Sequence, residues 1–299
     1  MVPRNHQRGF GRRARWAALP GGLLAAMIAG CLGNARRDPT TVIRVEGSDT
    51  MVNIAQAWAE QYHKLRPEVS VQVLGGGSGV GIASLIDGNC DMANTSRKMK
   101  EKEIEKAKAR HGTDPVEHVV GYDALGIYVH PANPLECISV EELAEIFGVD
   151  GTITRWSQLG VHGMPGDKII RVSRQNSSGT YAYFREVVLK NRDLKLGSVD
   201  ANGSKDVVAL VARTPGAIGY SGMGYATPNV KMLKVSWRKG EPGIAPTIEN
   251  AQNNSYPITR PLQIYTAGNP IGEVKKYLDW IFSPSGQRVV IELGYVPIR

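Results

Sequence analysis

The sequence predicts an α/β fold. Short runs of β-branched residues recur between amphipathic helical stretches, as in Thr41–Glu46 followed by Met51–Leu65. Several of these runs stop at Gly, Ser or Thr, and a helical pattern restarts at once. That alternation, with tight Gly-rich turns, is the signature of strands and helices packed in layers.

Residues 1–30 stand apart from this pattern. Arg4, Arg8, Arg12, Arg13 and Arg15 form a basic start, and an apolar stretch from Trp16 to Ala29 is broken at Pro20-Gly21-Gly22. A charged start, a short apolar core and small residues at the end describe a secretory signal. The apolar part is too short and too interrupted to span a bilayer. The run ends in Ile28-Ala29-Gly30-Cys31, which resembles the bacterial lipobox; that resemblance implies cleavage before Cys31 and lipidation of its thiol. Residues 31–40 read as the lipidated Cys and a polar tether.

The formal charge is +8, but residues 1–30 hold five Arg and no acidic residue, so +3 remains for residues 31–299. No Lys/Arg block interleaved with aromatics survives, and nucleic acid is not an expected partner. Export makes a Cys90–Cys137 disulfide feasible; two thiols are the equal alternative.

The elements follow in order. Thr41–Glu46 reads as a strand, and Met51–Leu65 as a helix whose buried stripe is Met51, Ile54, Trp58, Tyr62 and Leu65. Ser48, Asp49 and Thr50 are its N-cap candidates. Val69–Leu74 is a strand, Gly79–Ile86 a short helix closed by Gly88, and Asp91–Thr95 a strand. Lys100–Arg110, dense in Lys and Glu, is a solvated helix, and Ala124–His130 is a strong strand. Ser139–Phe147 is a helix opened by the capping box of Ser139 and Glu142. Lys168–Val172 is a strand, with a loop over Ser173–Ser178 and a helix from Gly179 to about Lys190. Asp206–Ala212 is helical, Ala217–Tyr220 and Pro261–Thr266 are strands, and Ile271–Ile281 and Ser285–Leu293 are helices.

Four turns share one composition. They are Gly47–Met51, Gly75–Gly81, Asn94–Arg97 and Arg174–Thr180, each placed where a strand hands over to the next segment. A helix start offers free N–H donors and a partial positive charge, Gly allows close approach, and Ser or Thr adds hydroxyls. Ligands of such sheets sit at the carboxyl ends of strands. Any one turn alone reads as ordinary capping. The glycine run is neither a P-loop nor a nucleophile elbow, since no Gly-Lys-Ser/Thr or Gly-x-Ser-x-Gly is present in it. His63, His111, His118, His130 and His162 show no metal spacing, and no metal or cofactor is expected.

With these motifs in view, the chain resembles the phosphate-binding proteins of phosphate ABC importers. The resemblance rests on GSDTM (47–51), GGGSGVGIASL (75–85), DMANTSRKM (91–99), SRQNSSGTYAYF (173–184), GAIGY (216–220) and PLQIYT (261–266). It implies a type II periplasmic-binding-protein fold, two α/β lobes joined by two hinge strands, Ala124–His130 and Pro261–Thr266. Lobe one would be 41–128 plus 260–299, and lobe two 129–259. Phosphate would be held between them by Thr50, Met51 through its N–H, Ser78, Ser96, Arg97, Arg174, Ser178, Gly179 and Thr180.

The resemblance also implies a protein outside the cytoplasm that hands inorganic phosphate to importer permease subunits; the lipobox adds a lipid anchor at Cys31, and a self-contained cleft predicts a monomer. One departure stands out. Many relatives have Ser-Asp where this chain has Ser96-Arg97, as a subset of the family does, and an Arg cannot accept the proton of phosphate. Asp49 and Asp123 are the candidate acceptors. Asn176 replaces an Asp often seen between the Arg and the Ser-Gly-Thr. Another tetrahedral oxyanion such as sulphate or molybdate, or a phosphate-sensing subunit, are the nearer alternatives. An extracellular phosphatase is the distant one: it would need a nucleophile beside a base, or metal ligands.

Overall fold

The computed structural model describes residues 41–298, so Cys31, the leader and the tether lie outside the described residues. The first part runs β1 (Thr41–Gly47), α1 (Val52–Leu65), β2 (Val69–Leu74), α2 (Ser78–Asp87), β3 (Met92–Thr95), α3 (Glu101–His111) and β4 (Val116–Val129). Next come β5 (Cys137–Ser139), α4 (Val140–Phe147), β6 (Ile170–Arg174), α5 (Gly179–Val187), β7 (Val199–Ala201), α6 (Ser204–Ala212), β8 (Ala217–Gly222), β9 (Lys231–Ser236) and α7 (Ile248–Gln252). The chain closes with β10 (Thr259–Thr266), α8 (Gly272–Phe282) and α9 (Pro284–Glu292). This is the α/β class that the alternation of strand and helix patterns predicts.

The strands run in the order β2-β1-β3-β10-β4-β8-β6-β7. Two parallel groups lie within it. β1 is flanked by β2 and β3, and β6 is flanked by β7 and β8. Parallel neighbours put their carboxyl ends on one side, so the turns after β1, β2 and β3 cluster, as do those after β6 and β7. The long strand β4 joins the groups. It pairs antiparallel with β10 from Val116 to Ala124, then with β8 from Leu125 to Val129. β10 in turn pairs antiparallel with β3.

Helix formation follows the sequence signals closely. Ser139 caps α4 by accepting the Glu142 N–H at 3.1 Å, and the Glu142 carboxylate returns to the Ser139 N–H at 3.1 Å, which completes the expected capping box. Gly88 ends α2 in the left-handed conformation, at φ 78°. In α1 the residues Ile54, Trp58 and Tyr62 are buried at helical spacing, and Met51 is buried just ahead of it. Leu65 departs from the expected stripe: it is 61% exposed, because the helix runs past the core there.

The larger differences concern strands. The strand expected over Ala124–His130 is only the second half of β4. Its first half, VEHVVGYD, is half-buried and mixes polar and apolar side chains, which hid it. β6 extends to Arg174, so that arginine stands on a strand end and not in the following loop. β5, β7 and β9 are short or edge pairings without an alternating pattern strong enough to read.

In the second strand group, Phe147, Phe184 and Tyr220 form a packed aromatic cluster. Phe184 stacks on Tyr220 with centroids 3.9 Å apart and an interplanar angle of 4°. Phe147 meets both rings edge-on, at 5.1 and 5.5 Å. This cluster seats α5 on β8 and so places the turn that opens α5. Replacing Phe184 by Ala is expected to lower the unfolding free energy by about 3–5 kcal/mol, read as a lower urea midpoint with an unchanged slope.

Candidate anion-binding site

The four turns singled out in the sequence converge at the strand ends. Thr50, after β1, and Thr180, in the first turn of α5, meet through their hydroxyl oxygens at 2.9 Å. Ser48 Oγ donates to Ser96 Oγ at 3.0 Å, and Ser78 Oγ accepts the Ser96 N–H at 3.0 Å. Gly179 faces Ser78 and Ser96 so closely that a methyl group in its place would collide with both hydroxyls. Ser178 caps α5, accepting the N–H groups of Thr180 and Tyr181 at 3.1 and 3.3 Å. Further contacts tie the glycine run to the loop after β6: Gly79 N–H donates to the Ser177 carbonyl, and Ser177 Oγ to the Gly76 carbonyl. Gly77 has φ +99° and lies against the Ser177 backbone, which only a residue without a side chain permits.

Arg174 is 1% exposed. Its Nη2 donates to Asp49 Oδ2 at 2.6 Å and to the Asn202 carbonyl at 3.2 Å, and its Nη1 to Ser204 Oγ at 3.1 Å. Its Nε–H is buried without a partner. Burial pulls the guanidinium pKa down and the Asp49 charge pushes it back up. Asp49 is also held by the Gly76 N–H at 2.8 Å. The carboxylate that sequence suggests as a helix cap is thus spent on the arginine and the glycine turn. Helix α1 starts with no side-chain cap.

Two expected contacts are placed differently. The Met51 N–H donates to the Ser48 carbonyl at 2.9 Å, inside its own turn. Arg97 grips Glu103 with both terminal nitrogens, each at 2.8 Å, and does not hydrogen-bond to the hydroxyl cluster. Burial is the largest influence on Glu103 and would raise its pKa, but the Arg97 hydrogen bond, the Lys100 N–H and the charges of both residues together outweigh it and hold the carboxyl below its ordinary value.

The residue that sequence reasoning missed is Arg260, at the start of β10 and 1% exposed. Its Nη2 lies 3.1 Å from Thr50 Oγ1, 3.0 Å from Thr180 Oγ1 and 2.8 Å from Asp123 Oδ2. Its Nε donates to the same carboxylate oxygen at 3.2 Å, and Nη1 to the Ser96 carbonyl at 3.3 Å. Asp123 is fully buried on β4, directly opposite Arg260 in the strand register. Burial pushes the Asp123 carboxyl up; the Arg260 charge and the Met223 N–H pull it back. The available signal was a charged residue at the edge of each of two apolar runs, Asp123 before Ala124–Val129 and Arg260 before Pro261–Thr266, since isolated charges are rarely buried unpaired.

Hydroxyls, buried guanidinium groups and helix starts pointing inward suit a small oxyanion. Nothing in the arrangement supports nucleophilic chemistry: Ser78 Oγ meets Ser96, and Ser178 Oγ meets backbone N–H groups. No group of three or more His, Cys, Asp or Glu able to hold a metal occurs among the described residues. Cys90 and Cys137 are free thiols, so the disulfide alternative falls; burial pushes the Cys90 thiol up to about 11.

A model of the PBP superfamily domain matches residues 34–285. The phosphate-binding protein PstS of Pseudomonas aeruginosa is 33% identical over 263 residues, which cover 84% of this chain and 81% of that protein. The chain belongs to the PstS family of the PBP superfamily. The Bacillus subtilis member is 32% identical over 258 residues, covering 86% of this chain and 80% of the relative. A putative phosphate ABC transporter substrate-binding protein of Clostridium perfringens, solved with bound phosphate, superposes with a TM-score of 0.77 at 28% identity. That alignment covers 86% of this chain and 100% of the other.

The Asp123–Arg260 pair yields a stability test. Arg260→Ala leaves a carboxylate buried without its partner and is expected to cost about 3–5 kcal/mol. The double replacement Asp123→Leu/Arg260→Met removes both charges at similar volume and is expected to recover most of that loss in chemical denaturation.

Proposed function

We propose that the protein binds inorganic phosphate outside the cytoplasm and delivers it to the permease of an ABC importer. The observation that carries this is the convergence of turns from both strand groups on one buried set of hydroxyls beside Arg174. Thr50, Ser78, Ser96, Ser178, Gly179 and Thr180 belong to that set, and the family relation gives its ligand class. A tetrahedral oxyanion needs many donors in a shell, and hydroxyls with a bidentate guanidinium supply them without a metal. Arg97, locked to Glu103, contributes positive charge at the rim, and Met51 contributes through its place at the start of α1. In this reading the chain is of the subset with Ser-Arg in the third segment, and it is a binding protein and not an enzyme.

The binding step is a closure of two lobes, 41–128 plus 260–299 and 129–259, about β4 and β10. β4 leaves β10 after Ala124 and joins β8 at Leu125, just before that boundary, which suits a strand shared by two lobes. The bond between Thr50 and Thr180 and the ion pair between Asp49 and Arg174 each join residues of the two lobes. A ligand that bridges them favours the closed state by its differential affinity. Cys31 would carry the lipid that holds the protein at the membrane, and the protein would work there as a monomer. Discrimination against sulphate needs an acceptor for the phosphate proton. Asp49 fits: it adjoins Thr50 and keeps lone pairs beyond those used by Arg174 and Gly76.

Calorimetric titration of the purified protein tests this reading. Phosphate is expected to bind one-to-one and sulphate much more weakly. Arg174→Ala is expected to weaken phosphate binding on the order of 10- to 100-fold, the loss of about 1.5–3 kcal/mol of charge-assisted hydrogen bonding. Asp49→Asn is expected to narrow the gap between the two anions. Equal wild-type binding of phosphate and sulphate would remove the acceptor role, and no binding of either would remove the phosphate reading.

A further inference from the structure

We infer that Arg260 is a second anion-binding guanidinium of this site and that Asp123 is its positioning residue. The inference rests on the phosphate reading and extends it to a residue outside the four turns. Three observations support it. First, Arg260 Nη2, Thr50 Oγ1 and Thr180 Oγ1 stand 2.9, 3.0 and 3.1 Å apart, a nearly equilateral triangle of donors. One oxygen of a tetrahedral anion seated over that triangle lies within hydrogen-bonding reach of all three atoms.

Second, an arginine carries only donors. Of the two N–H groups on Nη2, one meets Asp123 Oδ2 and the other lies between the two threonine oxygens, which serve as acceptors toward it. Their protons are then free to turn elsewhere, one to the other threonine and the remaining one outward to an anion. Arg260 thereby sets the direction in which both threonines donate.

Third, the geometry of Arg260 is over-determined. Asp123 Oδ2 takes both Nε and Nη2, the Ser96 carbonyl takes Nη1, and the Tyr183 ring lies 5.7 Å from the guanidinium carbon. A bare surface arginine would be fixed by none of these. Asp123 has no hydrogen bond to the hydroxyl cluster and acts through Arg260 alone. With Asp49 on Arg174 and Asp123 on Arg260, the buried site holds two guanidinium groups matched by two carboxylates. Its donors are then strongly polarised without a large net charge, so that an anion of either valence is recognised by its hydrogen bonds and not by charge alone.

The test separates binding from folding. Wild type, Asp123→Leu/Arg260→Met and Arg260→Lys are compared by phosphate titration and by thermal unfolding without phosphate. The double variant keeps the packing and removes the charges. It is expected to unfold near the wild-type temperature and to bind phosphate on the order of 100-fold more weakly. Arg260→Lys keeps one charge but cannot reach Asp123 and both threonines together, and is expected to fall between the two, about 10-fold below wild type. Wild-type affinity in either variant would overturn the inference while leaving the phosphate reading intact. Failure of the wild-type protein itself to bind phosphate would instead remove the reading on which the inference stands.

Discussion

A guanidinium taken out of water must be matched by acceptors, and this fold is organised around two that are. Arg174 and Arg260 are both 1% exposed, and each has a carboxylate at hydrogen-bond distance. Desolvating such a pair costs several kcal/mol per ion, and only close geometry with further hydrogen bonds offsets it. Here the further bonds come from the turns after β1, β3 and β7, so the charges can be buried only when those turns are assembled. The dependence runs both ways, because the turns are held by the arginines they satisfy.

This constraint explains the topology's use. Parallel strands place their ends together, and β4 and β10 set the two groups of ends against each other. Arg260 sits on one crossing strand and Asp123 on the other, in register across a single pair of residues. A shift of that register by one residue would turn one of them to the opposite face. The bulge between Leu262 and Gln263 lies beyond the pair and leaves it aligned.

The site was legible in part. Gly, Ser and Thr at strand ends pointed to the four turns, because small donors at helix starts are a local pattern with a local cause, and the family resemblance singled out Thr50, Ser78, Ser96, Ser178 and Thr180 within them. Asp49 and Asp123 were also singled out, as acceptors of a proton; each is in fact the partner of an arginine, a role that does not preclude the first for Asp49. Arg260 was legible only as an isolated charge. Sequence shows an arginine before a proline at the edge of an apolar strand, and only the pairing of β10 with β4 shows what it faces. Arg97 shows the converse: charge beside a site motif is visible, but its pairing with Glu103 in the next helix is a matter of side-chain reach.

Taken alone, the sequence determined the α/β class, the helices with strong caps and periodicity, and the turns that carry the hydroxyls. Those are set by interactions a few residues apart: the 3.6-residue repeat, the capping box at Ser139 and the conformational freedom of glycine. The tertiary structure decided what lies between distant segments. It split β4 between two partners, diverted Asp49 from capping a helix to holding Arg174, and brought Thr50 to Thr180 and Arg260 to both. Long-range pairing depends on strand register and on the burial of charge, and neither is encoded at any one position of the chain.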